Sequence, residues 1–389
     1  MMQPREFITP AHILVGSGAV EQVGQLCRKR GWKKALIVSD KIMSSLGLVA
    51  KVEQLLAASE ILSASYLGVN TEPVVEFVQA GLQILRDAGC DFVVAVGGGS
   101  PIDAAKAIAV MATNPGSIAQ YKGIGKLAVP GVPLVAIPTT AGTGSEATLY
   151  TVITDQQTDV KMLIGSPYLM PNVAIVDPLL TLSSPAGVTA ATGIDALVHA
   201  IEAYVSVKRQ PLTDIFCLSA IELISQNIRQ AWANGNNIEA REQMMLGAMQ
   251  AGIAFSNSSV ALVHGMSRPI GANFHIAHGV SNAALLAVVT NFSLIGDPVR
   301  YADIARAMGE KTDNRSVMDA ADLCVKAIRR LVRDIKIPSL RELGVDHDRL
   351  LELAPAMADA AIDSGSPGNN PRKPTKQEII ELYQLAYAE

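Results

Sequence analysis

The segment VVAVGGGSPIDAAKAIAV (residues 93–110) decides the fold of the first half of the chain. It begins as a short apolar run, passes through the glycine turn Gly97–Ser100 and continues with helical spacing. Ser100 is expected to cap this helix, with Pro101 in its first turn and Asp103 completing a pair similar to a capping box. Glycines between a strand and a helix N-terminus let an anion approach backbone N–H groups. The turn therefore predicts a pyrophosphate site, although it lacks the GxGxxG spacing.

The same alternation of strand-like and helix-like patterns extends through the first half of the chain. Apolar, β-branched runs begin near residues 33, 91, 132 and 172, and helical spacing covers residues 80–90 and 101–113. Strands that alternate with helices are typical of βαβ units. The first half is therefore predicted to form a mostly parallel sheet.

Beyond about residue 185 the strand-like patterns nearly vanish and long helical periodicity replaces them. This periodicity is clearest at residues 212–233, 238–255, 316–335 and 375–388. The sequence predicts an α/β dinucleotide-binding domain over residues 1–184 and an all-helical metal-binding and substrate domain over residues 185–389. No long flexible linker separates the two, so we expect the active site in the cleft between the domains.

The composition excludes several other classes of protein. Of the 389 residues 49% are hydrophobic and 17% are charged, which is enough to fill a large core. The net charge of -4 and the lack of a basic stripe argue against nucleic-acid binding. No uninterrupted apolar run reaches the length of about 18 residues that a membrane span requires, and no secretory signal is present. The widely spaced Cys27, Cys90, Cys217 and Cys324 are expected to be buried free thiols of a cytoplasmic protein.

The first candidate metal segment is GIDALVHAIEAY (residues 193–204), in which polar groups interrupt an apolar helix. Asp195 and His199 are four residues apart, and Glu202 continues the same stripe. Burial of such a stripe is costly unless a divalent cation compensates the charge. An exposed polar face with an ion pair within the helix explains this segment equally well.

The second candidate segment is VHGMSRPIGANFHIAHGVSN (residues 263–282). Gly265, Pro269 and Gly271 are expected to prevent one continuous helix. His264 is then placed near a helix end, and His278 on the following loop or helix start. Two such positions can converge on a helix elsewhere in the fold.

Together the two segments supply one carboxylate and three imidazoles, a donor set that suits Fe(II), Zn(II) or Mn(II). The predicted metal ligands are Asp195, His199, His264 and His278. Glu202 is predicted to orient a ligand imidazole rather than to bind the ion. His275 is either a proton-relay residue or a packed histidine that bonds a backbone carbonyl.

A second ligand loop is predicted at PTTAGTGSEAT (residues 138–148), where Thr139, Thr140 and Thr143 present hydroxyls beside glycines. Hydroxyls and exposed backbone N–H groups suit phosphate and ribose oxygens. Asp40 follows an early strand, where its carboxylate can accept hydrogen bonds from a ribose. That position favours NAD over NADP, because a 2′-phosphate would meet a like charge. An ordinary turn aspartate is the alternative.

These segments together resemble the iron-containing, group III alcohol dehydrogenase family. The resemblance rests on GGGSPIDAAKAIAV, PTTAGTGSEAT, DPLLT, TGIDALVHAIEAY and HGMSRPIGANFHIAHGVSNA, which occur in that order. It implies hydride transfer between NAD(H) and a small primary alcohol or aldehyde, with Fe(2+) as the metal. It also implies the four metal ligands named above and a homodimer or larger homo-oligomer.

The resemblance further implies particular cofactor contacts and catalytic residues. The implied cofactor contacts are Asp40, Asn70, Gly97, Gly98, Gly99, Ser100, Asp103, Thr139, Thr140, Thr143, Thr148, Tyr150, Lys161 and Leu180. The implied catalytic residues are His275, His278 and Arg268.

One position departs from the family pattern, since Arg268 stands where many members carry a second histidine. Its fixed charge suggests a substrate with a distal carboxylate, such as a semialdehyde or a hydroxy acid, and a structural role is the alternative. Two further activities occur on the same fold: glycerol dehydrogenase-like polyol oxidation and a dehydroquinate synthase-like lyase reaction. The scarcity of Lys and Arg near the ligand motifs disfavours the lyase. A non-catalytic metalloprotein is the remaining class.

Overall fold

The computed structural model describes residues 4–158 and 160–389. The contacts divide the chain into two compact units. One unit is Ile8–Ser183, and the other is Ser184–Glu389 together with an N-terminal segment that ends at Phe7. The first unit is an α/β structure and the second is helical, so the predicted fold class is confirmed.

The α/β unit alternates short strands with helices along the chain. Its strands are β1 (His12–Val15), β2 (Lys34–Val38), β3 (Leu62–Tyr66), β4 (Phe92–Gly97), β5 (Gly123–Ile124), β6 (Leu134–Pro138), β7 (Tyr150–Asp155), β8 (Val160–Gly165) and β9 (Val173–Val176). Its helices are α1 (Val23–Lys29), α2 (Lys41–Ser45), α3 (Leu48–Ala57), α4 (Val75–Asp87) and α5 (Gly99–Met111).

The main sheet has the strand order β1-β9-β6-β4-β2-β3, and each adjacent pair is parallel. Its central strands are apolar on both faces because helices cover both sides. Leu36 and Val93 belong to the core that includes α4 and α5. Ile37 and Val94 point the other way, into the core that includes α1 and α3.

The glycine turn differs in detail from the prediction, because α5 begins two residues earlier than expected. Its N-cap is Gly98, in an extended conformation without a side-chain cap, so the expected Ser100 cap is wrong. Gly97 has φ of 152°, which a residue with a side chain rarely adopts, and this lets the chain enter the helix directly after the strand. The carboxylate of Asp103 bonds instead to Oγ of Ser145 at 2.6 Å and to N of Val152 at 2.9 Å.

A smaller sheet was not predicted from the sequence. It has the order β5-β8-β7, in which β7 and β8 form an antiparallel pair and β5 joins β8 in parallel. Polar residues interrupt both long strands, so their apolar pattern is weak. This sheet carries Tyr150 and Lys161, two of the predicted cofactor contacts.

The second unit contains helices and no strand among its described residues. They are α6 (Ala186–Val205), α7 (Pro211–Ala233), α8 (Ile238–Ser258), α9 (Leu262–Phe274), α10 (His278–Ser293), α11 (Pro298–Ala307), α12 (Val317–Asp334), α13 (His347–Asp363) and α14 (Lys376–Ala388). The helical segments expected at residues 212–233, 238–255, 316–335 and 375–388 correspond to α7, α8, α12 and α14.

The expected interruption of the second metal segment lies in a different place. Helix α9 continues through Gly265, Pro269 and Gly271, and it ends at Phe274. His275 caps it in the left-handed conformation, with φ of 54°. Pro269 costs one backbone hydrogen bond within the helix, but helix packing outweighs that local penalty. The placement of His264 near a helix start and of His278 at the start of the next helix is confirmed.

One helical segment, His278–Gly296, has the length and hydropathy of a membrane span, but 67% of it is buried inside the protein. It packs against α6, α9 and α12, so its apolar surface is accounted for as core. The four cysteines are free and buried, as predicted.

Candidate active site

Three of the predicted metal ligands form one compact cluster in the helical unit. Asp195 and His199 lie one turn apart on α6, and His264 comes from the first turn of α9. One potential ligand atom from each of the three lies within 4.8 Å of those of the other two. The exposed fractions are 4% for Asp195, 6% for His199 and 2% for His264. This burial excludes the exposed polar face that the sequence of α6 also allowed.

His278 lies at the accessible side of the cluster. Its Nε2 atom is 3.8 Å from Oδ1 of Asp195, and its side chain is 41% exposed. Its ring centroid is 5.3 Å from that of His264. The structure therefore brings all four predicted ligands together, and His278 is the one that solvent reaches.

Asn282 is a member of this cluster that sequence reasoning missed. Its Nδ2 atom lies 2.6 Å from Oδ1 of Asp195, 3.3 Å from Nε2 of His264 and 3.2 Å from Nε2 of His278. Atoms of three predicted ligands thus converge on one amide nitrogen. The available signal was its position one helical turn after His278.

Glu202 holds His264 from the side opposite Asn282. Its carboxylate accepts hydrogen bonds from the backbone N–H groups of Ala261 and Val263 and lies 2.7 Å from Nδ1 of His264. Such a contact fixes the ring orientation and leaves Nε2 to face the cluster. This is the arrangement expected of a residue that orients a ligand imidazole.

The protonation of the cluster suits a divalent cation. Burial lowers the pKa of His199, and burial together with the charge of His199 lowers the pKa of His264 well below its usual range. Burial alone would raise the pKa of Asp195, but the adjacent histidines hold it below the ordinary value. A carboxylate and neutral imidazoles are the ligating forms. Among the described residues Nδ1 of His199 is buried without a hydrogen-bond partner, so the cluster also contains an unsatisfied nitrogen.

Arg268 and His275, the other predicted catalytic residues, occupy different surroundings. Arg268 lies one turn after His264 on α9, and its Nη1 atom is 3.3 Å from Oγ of Ser366. Its charge contributes to the lowered pKa values of His199 and His264, after burial and the charges of the neighbouring cluster residues. His275 is exposed at the end of α9.

In the α/β unit the two predicted cofactor loops lie against each other. N of Thr139 donates to O of Gly97 at 3.0 Å. A Cβ atom placed on Gly99 would lie 2.8 Å from Cγ2 of Thr143, so the glycine is required by close approach of the threonine loop. The turn thus presents the N-terminus of α5 beside the hydroxyl-rich loop, which is the arrangement an anion site requires.

The other predicted cofactor contacts differ from one another in burial and in hydrogen-bond partners. Asp40 caps α2 by accepting from N of Met43 at 2.8 Å, and Asn70 is exposed after β3. Leu180 is 6% exposed within the apolar core beneath the sheet. Lys161 is exposed and forms an ion pair with Glu72 at 2.6 Å. Their contacts with a cofactor remain predictions.

Lys106 on α5 was not among the predicted site residues. Its ammonium group donates hydrogen bonds to the end of the threonine loop. Its Nζ atom lies 2.9 Å from O and 2.8 Å from Oγ1 of Thr148, and 2.8 Å from O of Tyr150. Burial lowers its pKa to about 8 although Asp103 and Glu146 are near. The only signal for this residue in the sequence is a lysine within an apolar helix.

A parallel α/β unit with a glycine turn at a helix N-terminus, followed by a helical unit with a carboxylate–imidazole cluster, has the parts expected of a metal-dependent dehydrogenase. Residues 10–178 match the family described as iron-containing alcohol dehydrogenase, and residues 189–387 match its C-terminal region. The chain belongs to the iron-containing alcohol dehydrogenase family.

Individual relatives agree with this assignment over nearly the whole length. The chain is 43% identical to 1,3-propanediol dehydrogenase of Citrobacter freundii over 385 residues, which cover 98% of each protein. It is 40% identical to NAD-dependent methanol dehydrogenase of Bacillus methanolicus, over 98% of this chain and 99% of the relative. A solved structure of 1,3-propanediol oxidoreductase superimposes with a TM-score of 0.96 at 42% identity, covering 99% of this chain and 100% of the other.

Proposed function

We propose that this enzyme interconverts small primary alcohols and aldehydes with NAD(H), and that it holds Fe(II) with Asp195, His199, His264 and His278. The observation that carries the proposal is the buried cluster in which ligand atoms of Asp195, His199 and His264 lie within 4.8 Å of one another. NAD rather than NADP is supported by the carboxylate of Asp40 after β2 and by the NAD-dependent relative. The relatives act on small alcohols by name, which supports the substrate size.

When bound, a divalent cation polarises a substrate oxygen, and a nicotinamide exchanges hydride with the adjacent carbon. The chain supplies positioning for both. Glu202 keeps the ring of His264 fixed, and burial lowers the pKa of His199 and His264, which favours their neutral, ligating forms. Backbone N–H groups at the start of α5 would hold the pyrophosphate, while the threonine loop packed on Gly99 fixes their direction.

His275 is proposed to pass a proton between the reacting oxygen and solvent. It is exposed and lies three residues from His278, the solvent-accessible member of the cluster. Replacing His275 with Ala should lower turnover and shift its pH profile; an unchanged profile would remove this role. We further propose that the enzyme is cytoplasmic and forms a homodimer or a larger homo-oligomer.

The proposed function is tested with protein purified without oxygen. Its metal content is measured first, and NADH oxidation is then followed with a series of small aldehydes. We expect one Fe(II) per chain, loss of NADH oxidation after chelation and recovery on adding Fe(II), Zn(II) or Mn(II). Asp195→Asn should lose both the metal and the activity. A fully metal-loaded protein that oxidises NADH with none of the aldehydes would contradict the proposal.

A further inference from the structure

Arg268 is a half-buried cation one helical turn from His264, a member of the metal cluster. It lies four residues after His264 on α9, so both side chains share one face of the helix. Its charge acts on His199 and His264, and the charge of Glu202 acts on it in turn. The guanidinium is therefore within electrostatic reach of the cluster.

Arg268 has few protein partners for a guanidinium, which offers five N–H donors. Among the described residues its one recorded acceptor is Oγ of Ser366 at 3.3 Å, and no carboxylate lies within ion-pair distance. Buried Arg241 differs, because oxygens of Gly235, Thr189 and Ser184 all lie within 3.1 Å of its guanidinium. Most donors of Arg268 thus have no partner in the part of the chain that the structure describes.

The charges around the cluster leave that guanidinium uncompensated. No carboxylate of a described residue forms an ion pair with Arg268, whose side chain is half-buried. A charge that is partly withdrawn from water is stabilised when an opposite charge joins it.

We propose that Arg268 binds an anionic oxygen group, a carboxylate or a sulfonate, at the far end of the substrate. The preferred substrates are then small aldehydes that carry an acid group, and the matching hydroxy acids. A carboxylate fits the planar fork of arginine by two parallel hydrogen bonds. The side chain of His278 is 41% exposed, so a small substrate can reach the cluster on that side. This inference rests on the proposed function and specifies its substrate class.

The test compares matched pairs of aldehydes with the metal-loaded enzyme and NADH. Succinic semialdehyde is paired with butanal, and sulfoacetaldehyde with propanal, so that each pair differs mainly in the anionic group. The kcat/KM ratio of each pair is measured for the wild type, for Arg268→Gln and for Arg268→Lys. Arg315→Gln, which removes an exposed arginine of the same unit, is the matched control. Binding of butyrate is measured in parallel by calorimetry.

We expect the wild type to prefer the anionic member of each pair. In Arg268→Gln the ratio of the kcat/KM values, anionic over neutral, should fall by about tenfold to hundredfold. Arg268→Lys should retain part of this preference, because lysine keeps the charge but lacks the planar guanidinium that makes two parallel hydrogen bonds. Arg315→Gln should not change the preference. Butyrate binding should weaken in Arg268→Gln, weaken less in Arg268→Lys and stay unchanged in Arg315→Gln. The carboxylate and sulfonate pairs show which anion is recognised.

Equal use of anionic and neutral aldehydes by the wild type, or a ratio that Arg268→Gln leaves unchanged, would overturn the inference and leave the proposed function standing. Failure to oxidise NADH with either member of any pair would overturn the proposed function as well. If Arg268→Gln does not fold, the wild-type ratio and its butyrate binding decide the question.

Discussion

Oε2 of Glu202 lies 2.7 Å from Nδ1 of His264, and the two side chains are each 3% exposed. The carboxylate also accepts from the backbone at the start of α9. One acid on α6 thus sets both the position of the next helix and the direction of an imidazole that it carries. This couples the fold of the helical unit to the geometry of the metal cluster.

Glu202→Gln should weaken metal binding by about tenfold to a hundredfold, because an amide holds the imidazole less firmly than a carboxylate. The measurement is the Kd for Zn(II) or Fe(II) by competition with a chelator. Glu222→Gln removes an exposed carboxylate from α7 and should bind metal as the wild type does. Equal affinities in all three proteins would show that Glu202 supports the helix alone.

Gly99→Ala should weaken NADH binding by about tenfold. The added Cβ atom would lie 2.8 Å from Cγ2 of Thr143, so the threonine loop must move away from the glycine turn. Fluorescence titration with NADH gives the Kd. Gly187→Ala is the control, since a Cβ at that exposed position meets nothing within 4 Å. Unchanged NADH affinity in Gly99→Ala would contradict the placement of the cofactor at this turn.

Lys106→Met should raise the KM for NADH more than it lowers kcat. It removes three hydrogen bonds that hold Thr148 and Tyr150, and both residues are predicted cofactor contacts. A lost bond that leaves a buried oxygen unpaired costs about 1–3 kcal/mol. Lys126→Met, at an exposed position, serves as the comparison. A parallel fall in kcat with constant KM would argue against a role in cofactor positioning.

Glu146 should make the stability of the α/β unit depend on pH. Burial raises the pKa of this carboxyl from 4.5 to about 7, partly offset by its own backbone hydrogen bond and by Lys106. The folded protein therefore holds the proton that the unfolded chain releases, and this contribution is present below pH 4.5 and lost as the pH rises to about 7.

Relative to Glu146→Gln, the wild type should lose about 3 kcal/mol of unfolding free energy between about pH 4.5 and pH 7. Denaturant unfolding of both proteins at several pH values measures the difference. Glu76→Gln, at an exposed position of α4, should track the wild type throughout. A constant difference between the wild type and Glu146→Gln would contradict a raised pKa.

The sequence predicted the fold class well because the signals are local. Strand β4, the glycine turn and α5 follow from one segment, and the long helices follow from their periodicity. The β7–β8 hairpin was missed because polar residues such as Thr151 and Thr154 interrupt its apolar pattern. The path of α9 through Pro269 was missed because packing of the whole helix decides it, not one residue.

The metal site was predictable where the spacing of residues along a helix shows which side chains share a face. Asp195 and His199 share a helix face, and the structure brings His264 and His278 to them. For Asn282 the spacing shows only that it shares a helix face with His278. Its contact with Asp195 and the contact of Lys106 with Thr148 join residues 87 and 42 positions apart in sequence, so only the folded chain shows them.

The most direct test of the central claim is an anomalous-diffraction map of crystals grown from metal-loaded protein without oxygen. We predict one strong peak per chain, about 2.0–2.3 Å from donor atoms of Asp195, His199, His264 and His278. A fully active, metal-loaded protein whose peak lies elsewhere, or which shows none at these side chains, would contradict the account.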